Sequence, residues 1–234
     1  MRRLIATMRC DITLQARHGF YYATAFVLII CVALSSQVSA LDLKWLLPPL
    51  VLGNLLMNTF YFIGGLILLE KSEGALEAQV VTPLRTWEYL ASKVCTLMLL
   101  SLVENLVIVF LVAGSAFNLP LLATSIVLTS VIYCLAGILV VVRYDSINEY
   151  LMPSVLYTSI LSAPLASYLV RWEFPLFYLH PLYATLLLAQ AAFQPLSGWK
   201  TAYGTLYSLL WGGLLAAFSG RAFRRFITER MSAK

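Results

Sequence analysis

Residues 70–93 read EKSEGALEAQVVTPLRTWEYLASK, and they sit between two long apolar runs. Four acids (Glu70, Glu73, Glu77, Glu88) and three bases (Lys71, Arg85, Lys93) gather in this stretch, while few charges occur elsewhere in the middle of the chain. Each charge would cost several kcal/mol at the centre of a bilayer. The island is therefore expected to project into water, where something reads it, and the flanking runs are expected to cross lipid.

The totals agree with a membrane setting. The 234 residues are 61% hydrophobic and 12% charged, against about a quarter charged in a soluble domain. Mean hydropathy is +0.84. This excludes an ordinary soluble enzyme and fits one all-α membrane domain with little chain left for anything else. Cys10, Cys31, Cys95 and Cys134 show no metal-ligand or C-x-x-C spacing and read as small hydrophobes. The sequence Val38-Ser39-Ala40 loosely resembles a signal-cleavage site, but the segment before the run is long and contains Asp11, so the first run reads as a retained span.

Residues 1–18 form an amphipathic pattern, with Leu4, Ile5, Met8 and Ile12 at helical spacing and Arg2, Arg3, Arg9 and Arg17 between them. A helix lying in the membrane surface is expected. Six segments then approach the roughly 20 residues that a 30 Å hydrocarbon core requires. They are Gly19–Ala40, Trp45–Leu69, Val94–Phe117, Leu119–Val142, Leu151–Val170 and the shorter Ala202–Phe218. With six spans, the N-terminus, the island, the 143–150 loop and the C-terminal tail share one side, which holds thirteen Lys and Arg residues. The other side has only Lys44, Arg171 and Lys200. This bias places both termini and the island in the cytoplasm.

Residues 171–200 are apolar and aromatic but interrupted by Pro175, Pro181 and Pro195. The longest unbroken piece is too short to cross, so short re-entrant or interfacial helices on the outer face are expected. Trp172, Phe174, Phe177, Tyr178, Tyr183 and Trp199 suit headgroup depth. An S-x-x-E box at Ser146 and Glu149 predicts the start of the fifth span's helix, with kinks expected at Pro153 and Pro164. In the sixth span Gly204, Ser208, Gly212, Ala216 and Gly220 recur every four residues, a ridge that lets another helix approach closely.

Catalytic patterns are missing. The chain has no G-x-x-x-x-G-K-[ST], no H-E-x-x-H and no G-x-S-x-G. His18 and His180 fall on opposite sides of the predicted membrane. No metal or cofactor site is expected, nor a nucleic-acid partner. The two halves show no repeat, which weakens a repeat-built secondary transporter. One carboxylate stands out: Glu104, near the middle of the third span and followed by Asn105. A membrane carboxylate either lines a polar path for a solute or bonds across helices in its protonated form. Asn54 and Asn58 share one face of the second span and read as interhelical bonds or as part of the same path.

Within the island, Glu73 to Val81 reads as a short helix broken at Thr82-Pro83, with Thr86 expected to cap the helix that leads into the third span. The run E-K-S-E-G-A-L-E followed by V-T-P-L-R-T-W-E-Y-L-A-S-K resembles the signature of type-2 permeases of ATP-binding-cassette (ABC) transporters. Glu73, Gly74, Leu76, Glu77, Thr82, Pro83 and Lys93 match it, while Ala75 stands where that signature usually has Thr. The wording is especially similar to permeases identified as fluoroquinolone exporters. The layout agrees over nearly the whole chain: surface helix at 1–18, then a six-span domain at 19–234.

The resemblance implies a mechanism. Residues 70–89 would be a coupling helix docked on a separate ATP-binding-cassette ATPase subunit, with Glu73 and Glu77 facing bases on that subunit and Leu76 an apolar pocket. Two permease copies, identical or related, and two ATPases would make the exporter. ATP would bind the partner; this chain would have no catalytic residues. Glu104 and Asn58 would lie on the path of an apolar or amphipathic cargo, drugs included. The alternative is an ion-coupled secondary transporter with Glu104 as its intramembrane proton site.

Overall fold

The computed structural model describes residues 2–38, 40–75, 85–172 and 174–232. These form helices joined by short turns and loops, with no strand among them. Helix α1 (Arg2–Arg17) and helix α2 (Phe20–Ser35) meet at Gly19, which has φ +78°. Their axes turn by 65° there. That left-handed backbone is one that glycine adopts without a Cβ penalty. Next come α3 (Ala40–Leu55), a π-helical turn (Leu56–Tyr61) and α4 (Phe62–Ser72), which follow one another without a break. Then follow α5 (Thr86–Ala113), α6 (Leu119–Val141), α7 (Ile147–Leu161) and α8 (Ala163–Leu169). A 3-10 turn (Pro175–Leu179), α9 (Pro181–Phe193) and α10 (Gly198–Ser232) complete the chain.

Among the described residues three stretches are long and apolar enough to cross a membrane: Leu43–Ser72, Thr86–Ala113 and Leu119–Val141. The bent pair α1–α2 makes a fourth if it counts as one span. The runs expected as fifth and sixth spans fall in α7–α8 and inside the 35-residue α10. Helix α6 is the hub, packed against α3, α4, the π turn, α5, α9 and α10. Helices α2, α7 and α10 instead expose large apolar side chains, among them Tyr22, Phe26, Met152, Leu156, Leu206 and Leu210. Such faces suit lipid rather than water.

Side-chain contacts sort the connections into two ends. At one end Lys93 meets Asp11 and Glu70, and Lys71 meets Asp145 at 2.6 Å. Phe223 stacks on Tyr89 at 5.1 Å there, and the Lys71 ammonium lies 4.5 Å from the centre of the Phe226 ring. The N-terminal helix, the island, the 143–150 loop and the last helix thus converge. At the other end Arg171 lies over Trp45, and Asn118 N–H donates to Ala192 O at 2.8 Å.

Several local expectations change. The Ser146 hydroxyl accepts the Glu149 N–H at 3.3 Å, while the Glu149 carboxylate accepts from Asp145 rather than from the cap residue. The helix runs on through Pro153 and breaks at Ser162, just before Pro164. Pro153 lies inside α7, as its seventh residue, and removes one intrahelical hydrogen bond without breaking the helix; Pro164 instead opens α8. Arg85, not Thr86, is the cap residue of α5, and its N–H donates to the Glu88 carboxylate at 3.0 Å. The described residues of 171–200 hold a 3-10 helix (Pro175–Leu179), the first residues of α10 and, between them, the α-helix α9. That helix is buried almost all round against α3, α6 and α10, as expected of a helix that is apolar on every side. Burial also lowers the affinity of His180 for a proton, in keeping with its Nδ1 accepting the Leu182 N–H at 3.3 Å.

The π turn is held by neighbours that reach its carbonyls. Tyr150 OH donates to Phe60 O at 3.3 Å, and Gly64 leaves room for the Tyr150 ring. A side-chain donor of this kind re-satisfies backbone freed by an irregular turn within a span.

The small-residue ridge of α10 packs within the chain only at its start, Gly204 and Ser208. Gly204 lies against α9, where an added Cβ would fall 2.9 Å from Ala184 O and 2.8 Å from Leu188 Cγ. At Gly212 the nearest atom would be Val131 Cγ1 at 3.9 Å, and Ala216 is exposed. Gly204→Ala is expected to lower stability by about 1–3 kcal/mol through overpacking, whereas Gly212→Ala is neutral or stabilising through helix propensity. Thermal unfolding of the two variants in detergent checks the contrast.

Candidate functional site: two buried carboxylate clusters

Helix α1 has a buried stripe formed by Leu4, Thr7, Met8, Asp11, Leu14, Gln15 and His18, all at least partly covered. The spacing is helical, but its centre is polar. Asp11 and Gln15 are 3% and 0% exposed and face α5. Ile5 and Ile12, expected to rest on the surface, are on the uncovered side. The helix therefore docks on protein through a stripe with a polar centre and turns Ile5 and Ile12 outward.

That seam centres on Lys93, which is fully buried. Its ammonium donates to Asp11 Oδ1 at 2.9 Å and to Glu70 Oε1 at 2.5 Å, and lies 4.7 Å from the centre of the Tyr89 ring. Asp11 Oδ2 accepts from Ser92 Oγ. Glu70 Oε2 accepts from Tyr89 OH at 2.6 Å. Gln15 donates to Thr96 Oγ1 at 3.0 Å one turn further on. All four carboxylate oxygens are hydrogen-bonded, and the three ammonium protons face two carboxylates and a ring. A buried charge is tolerated on these terms only. The expectation that the island as a whole projects into water is thus corrected: Glu70, Glu88 and Lys93 are buried. They draw back into the protein because Asp11, outside the island, supplies the balancing carboxylate.

The remaining island residues divide. Glu73 and Gly74 end α4: Glu73 N–H donates to Leu69 O at 2.9 Å and Gly74 takes φ +69°. A helix beginning at Glu73 is therefore corrected, since Gly74 supplies the left-handed turn after a helix end. Glu73 Oε1 lies 3.4 Å from His18 Nε2, an ion-pair distance without hydrogen-bond alignment. Leu76, Glu77, Thr82 and Pro83, with most of the expected coupling helix, lie outside the described residues.

The second cluster lies between the π turn and α5. Asn58 Nδ2 donates to Glu104 Oε2 and lies 3.4 Å from Asn54 Oδ1. Asn54 Nδ2 donates to Asn105 Oδ1 at 3.2 Å, and Asn105 Nδ2 to Ser101 O at 2.8 Å. The expected pair Glu104 and Asn58 is brought into contact, and Asn54 and Asn105 join it. This network is unfinished. Glu104 Oε1, Asn58 Oδ1 and Ser101 Oγ are buried and have no hydrogen-bond partner among the described residues. Orphaned polar atoms in a buried network are costly, and π turns in spans gather at functional sites. The site can hold a proton on Glu104, or accept a hydrogen-bond donor from a solute.

Asp11, Gln15, Tyr89 and Ser92 went unread as a group from sequence alone. One signal was available: Asp11 is the only acid among the first 41 residues, and it falls on a helical stripe.

Residues 2–231 match the family described as Fluoroquinolones export permease protein family. The chain belongs to that family. It is 32% identical over 234 residues to proteins named Fluoroquinolones export permease protein in two strains of Mycobacterium tuberculosis, CDC 1551 / Oshkosh and ATCC 25618 / H37Rv. Each alignment covers 98% of this chain and 98% of the relative. As a fluoroquinolones export permease family member, the chain is a membrane permease, and the buried clusters belong to its membrane helices.

Removing one partner from the Lys93 cluster leaves a buried charge without compensation, which costs about 3–5 kcal/mol. Lys93→Met is expected to abolish monodisperse purification. Asp11→Asn combined with Glu70→Gln and Lys93→Met is expected to recover most of the folded yield, as size-exclusion chromatography and thermal melts will show.

Proposed function

We propose that this chain is the transmembrane subunit of an ATP-driven exporter that moves apolar or amphipathic compounds, fluoroquinolone-like drugs among them, out of the cell. The observation that carries the reading is membership of an export-permease family over residues 2–231, in a sequence without a phosphate-binding loop. ATP would be hydrolysed on a separate ATP-binding-cassette subunit docked against the island, with a second permease copy completing the transporter. The contacts that gather α1, the island, the 143–150 loop and α10 at one end support six crossings with both termini on one side. The Lys and Arg bias supports assigning that side to the cytoplasm.

In this reading the Lys93 cluster is the stiff joint of the device. An ATPase pushing on residues 73–85 would move α4 and α5 as a pair, because Glu70 and Lys93 tie them together, and α1 would follow through Asp11. Force applied to the loop would reach the Glu104 cluster through α5, whose Lys93 and Glu104 lie eleven residues apart on one continuous helix.

A second reading is favoured by one observation, the unpartnered Glu104 Oε1: a carboxylate free to carry a proton could couple cargo movement to a proton gradient. Both readings place Glu104 on the path. Glu104→Gln is expected to keep expression and melting behaviour while changing the rate of drug efflux from cells; an unchanged rate would remove Glu104 from the path. Glu77→Lys is expected to detach the co-expressed ATPase or uncouple its hydrolysis from transport, read by co-purification and drug-stimulated ATPase activity. A fully assembled, fully active Glu77→Lys transporter would remove the docking assignment.

A further inference from the structure

The end of the fold opposite the Lys93 cluster contains a cavity of about 480 Å³. It is lined by residues from three separate parts of the chain: the start of the second span, the end of α8 with the 3-10 turn, and α9 with the start of α10. The volume is that of a pocket for a drug-sized molecule, far more than a simple anion fills.

Its walls pair aromatic rings with cations. Trp45 stacks on Tyr168 with ring centres 5.7 Å apart and planes 16° apart, and the Arg171 guanidinium lies 5.3 Å from the Trp45 ring centre. On the α10 side Tyr178 and Lys200 line the cavity; behind them Trp199, outside the lining, stacks on Tyr178 at 6.2 Å and has the Lys200 ammonium 5.9 Å from its ring centre. Neither Arg171 nor Lys200 has a carboxylate partner among the described residues. The Tyr168 hydroxyl is buried without a hydrogen-bond partner among them.

The backbone at Arg171 adds an independent observation. Trp172 N–H donates to Ser167 O at 2.9 Å and Arg171 N–H to Tyr168 O at 3.1 Å. These two bonds define the helix-ending motif in which the residue after the cap is usually glycine. Arg171 occupies that place with φ +56°, the only non-glycine residue with positive φ among the described residues. A left-handed residue with a Cβ is disfavoured, because the Cβ crowds the following carbonyl oxygen. Glycine would end α8 with less strain, and the Arg171 side chain that stands there instead lines the cavity.

We propose that this cavity binds a flat aromatic carboxylate, its ring system against the tryptophan and tyrosine faces and its carboxylate between Arg171 and Lys200. Its place in transport, as the last station before release, rests on the exporter reading; its binding chemistry does not.

The unusual backbone makes the test clean. Arg171→Gly removes the cation and relieves the strained turn, so its melting temperature should equal or exceed that of the unsubstituted protein. Equilibrium dialysis with permease in phosphatidylcholine nanodiscs compares nalidixate, a flat aromatic carboxylate, with its uncharged methyl ester. The acid is expected to bind at least tenfold more tightly than the ester. Arg171→Gly and Lys200→Gln should each weaken the acid about tenfold and leave the ester unchanged. Equal binding of acid and ester, or wild-type acid binding by stable Arg171→Gly, overturns the proposal. So does loss of acid binding when the nanodiscs contain phosphatidylglycerol, which would mark the cavity as a site for anionic lipid headgroups. Drug efflux from cells expressing the permease with its ATPase is measured in parallel. Efflux without acid binding overturns this site and leaves the exporter reading standing; acid binding without efflux supports the site and counts against the exporter reading.

Discussion

The fold turns on the burial of one ammonium group. Lys93 lies where no water reaches it, and it is tolerated because Asp11 and Glu70 approach from two other helices. Removing such ions from water costs several kcal/mol each, and only near-complete hydrogen bonding compensates. That requirement fixes much else. It draws α1 across α5, so the chain must turn by 65° at Gly19 to enter α2. It holds the end of α4 beside the beginning of α5, so the connection between them has both feet anchored. Tyr89, which bonds Glu70, also stacks on Phe223 and so ties α10 to the same joint.

The two carboxylate clusters are built of similar parts and differ in completeness. Around Lys93 every carboxylate oxygen has a donor, and the arrangement is rigid. Around Glu104 three buried polar atoms have none among the described residues, beside a π turn in the second span. A satisfied network specifies one packing, whereas a partly satisfied one leaves room for a proton, a solute or a second arrangement. Helix α5 carries both, so a rigid joint near the island and an adaptable site in the membrane share one lever. This is a sound layout for a permease driven from one end.

Much of this was legible in the residues. The apolar runs marked the helices, and the island residues Glu73, Gly74, Leu76, Glu77, Thr82, Pro83 and Lys93 carried the family resemblance. Glu104 and Asn58, picked as the polar members of adjacent spans, do touch. What could not be read was pairing across distance. Nothing local in sequence says that Asp11 belongs with Lys93, 82 residues away. The island therefore read as wholly solvated although Glu70, Glu88 and Lys93 are buried. The π turn was equally hidden, because its cause lies in Tyr150 and Gly137 on other helices, which fill and flank its carbonyls. Helix α9 read as interfacial because it is short and follows prolines; its burial depends on α3, α6 and α10 closing around it.

The central claim is that this permease is driven by ATP bound to another polypeptide. The most direct measurement is drug accumulation in inverted membrane vesicles containing the permease, with and without a co-expressed ATP-binding-cassette subunit. The account predicts ATP-dependent accumulation only when both chains are present, insensitive to collapse of the proton gradient. Accumulation by the permease alone, driven by a proton gradient and lost in Glu104→Gln, would contradict it.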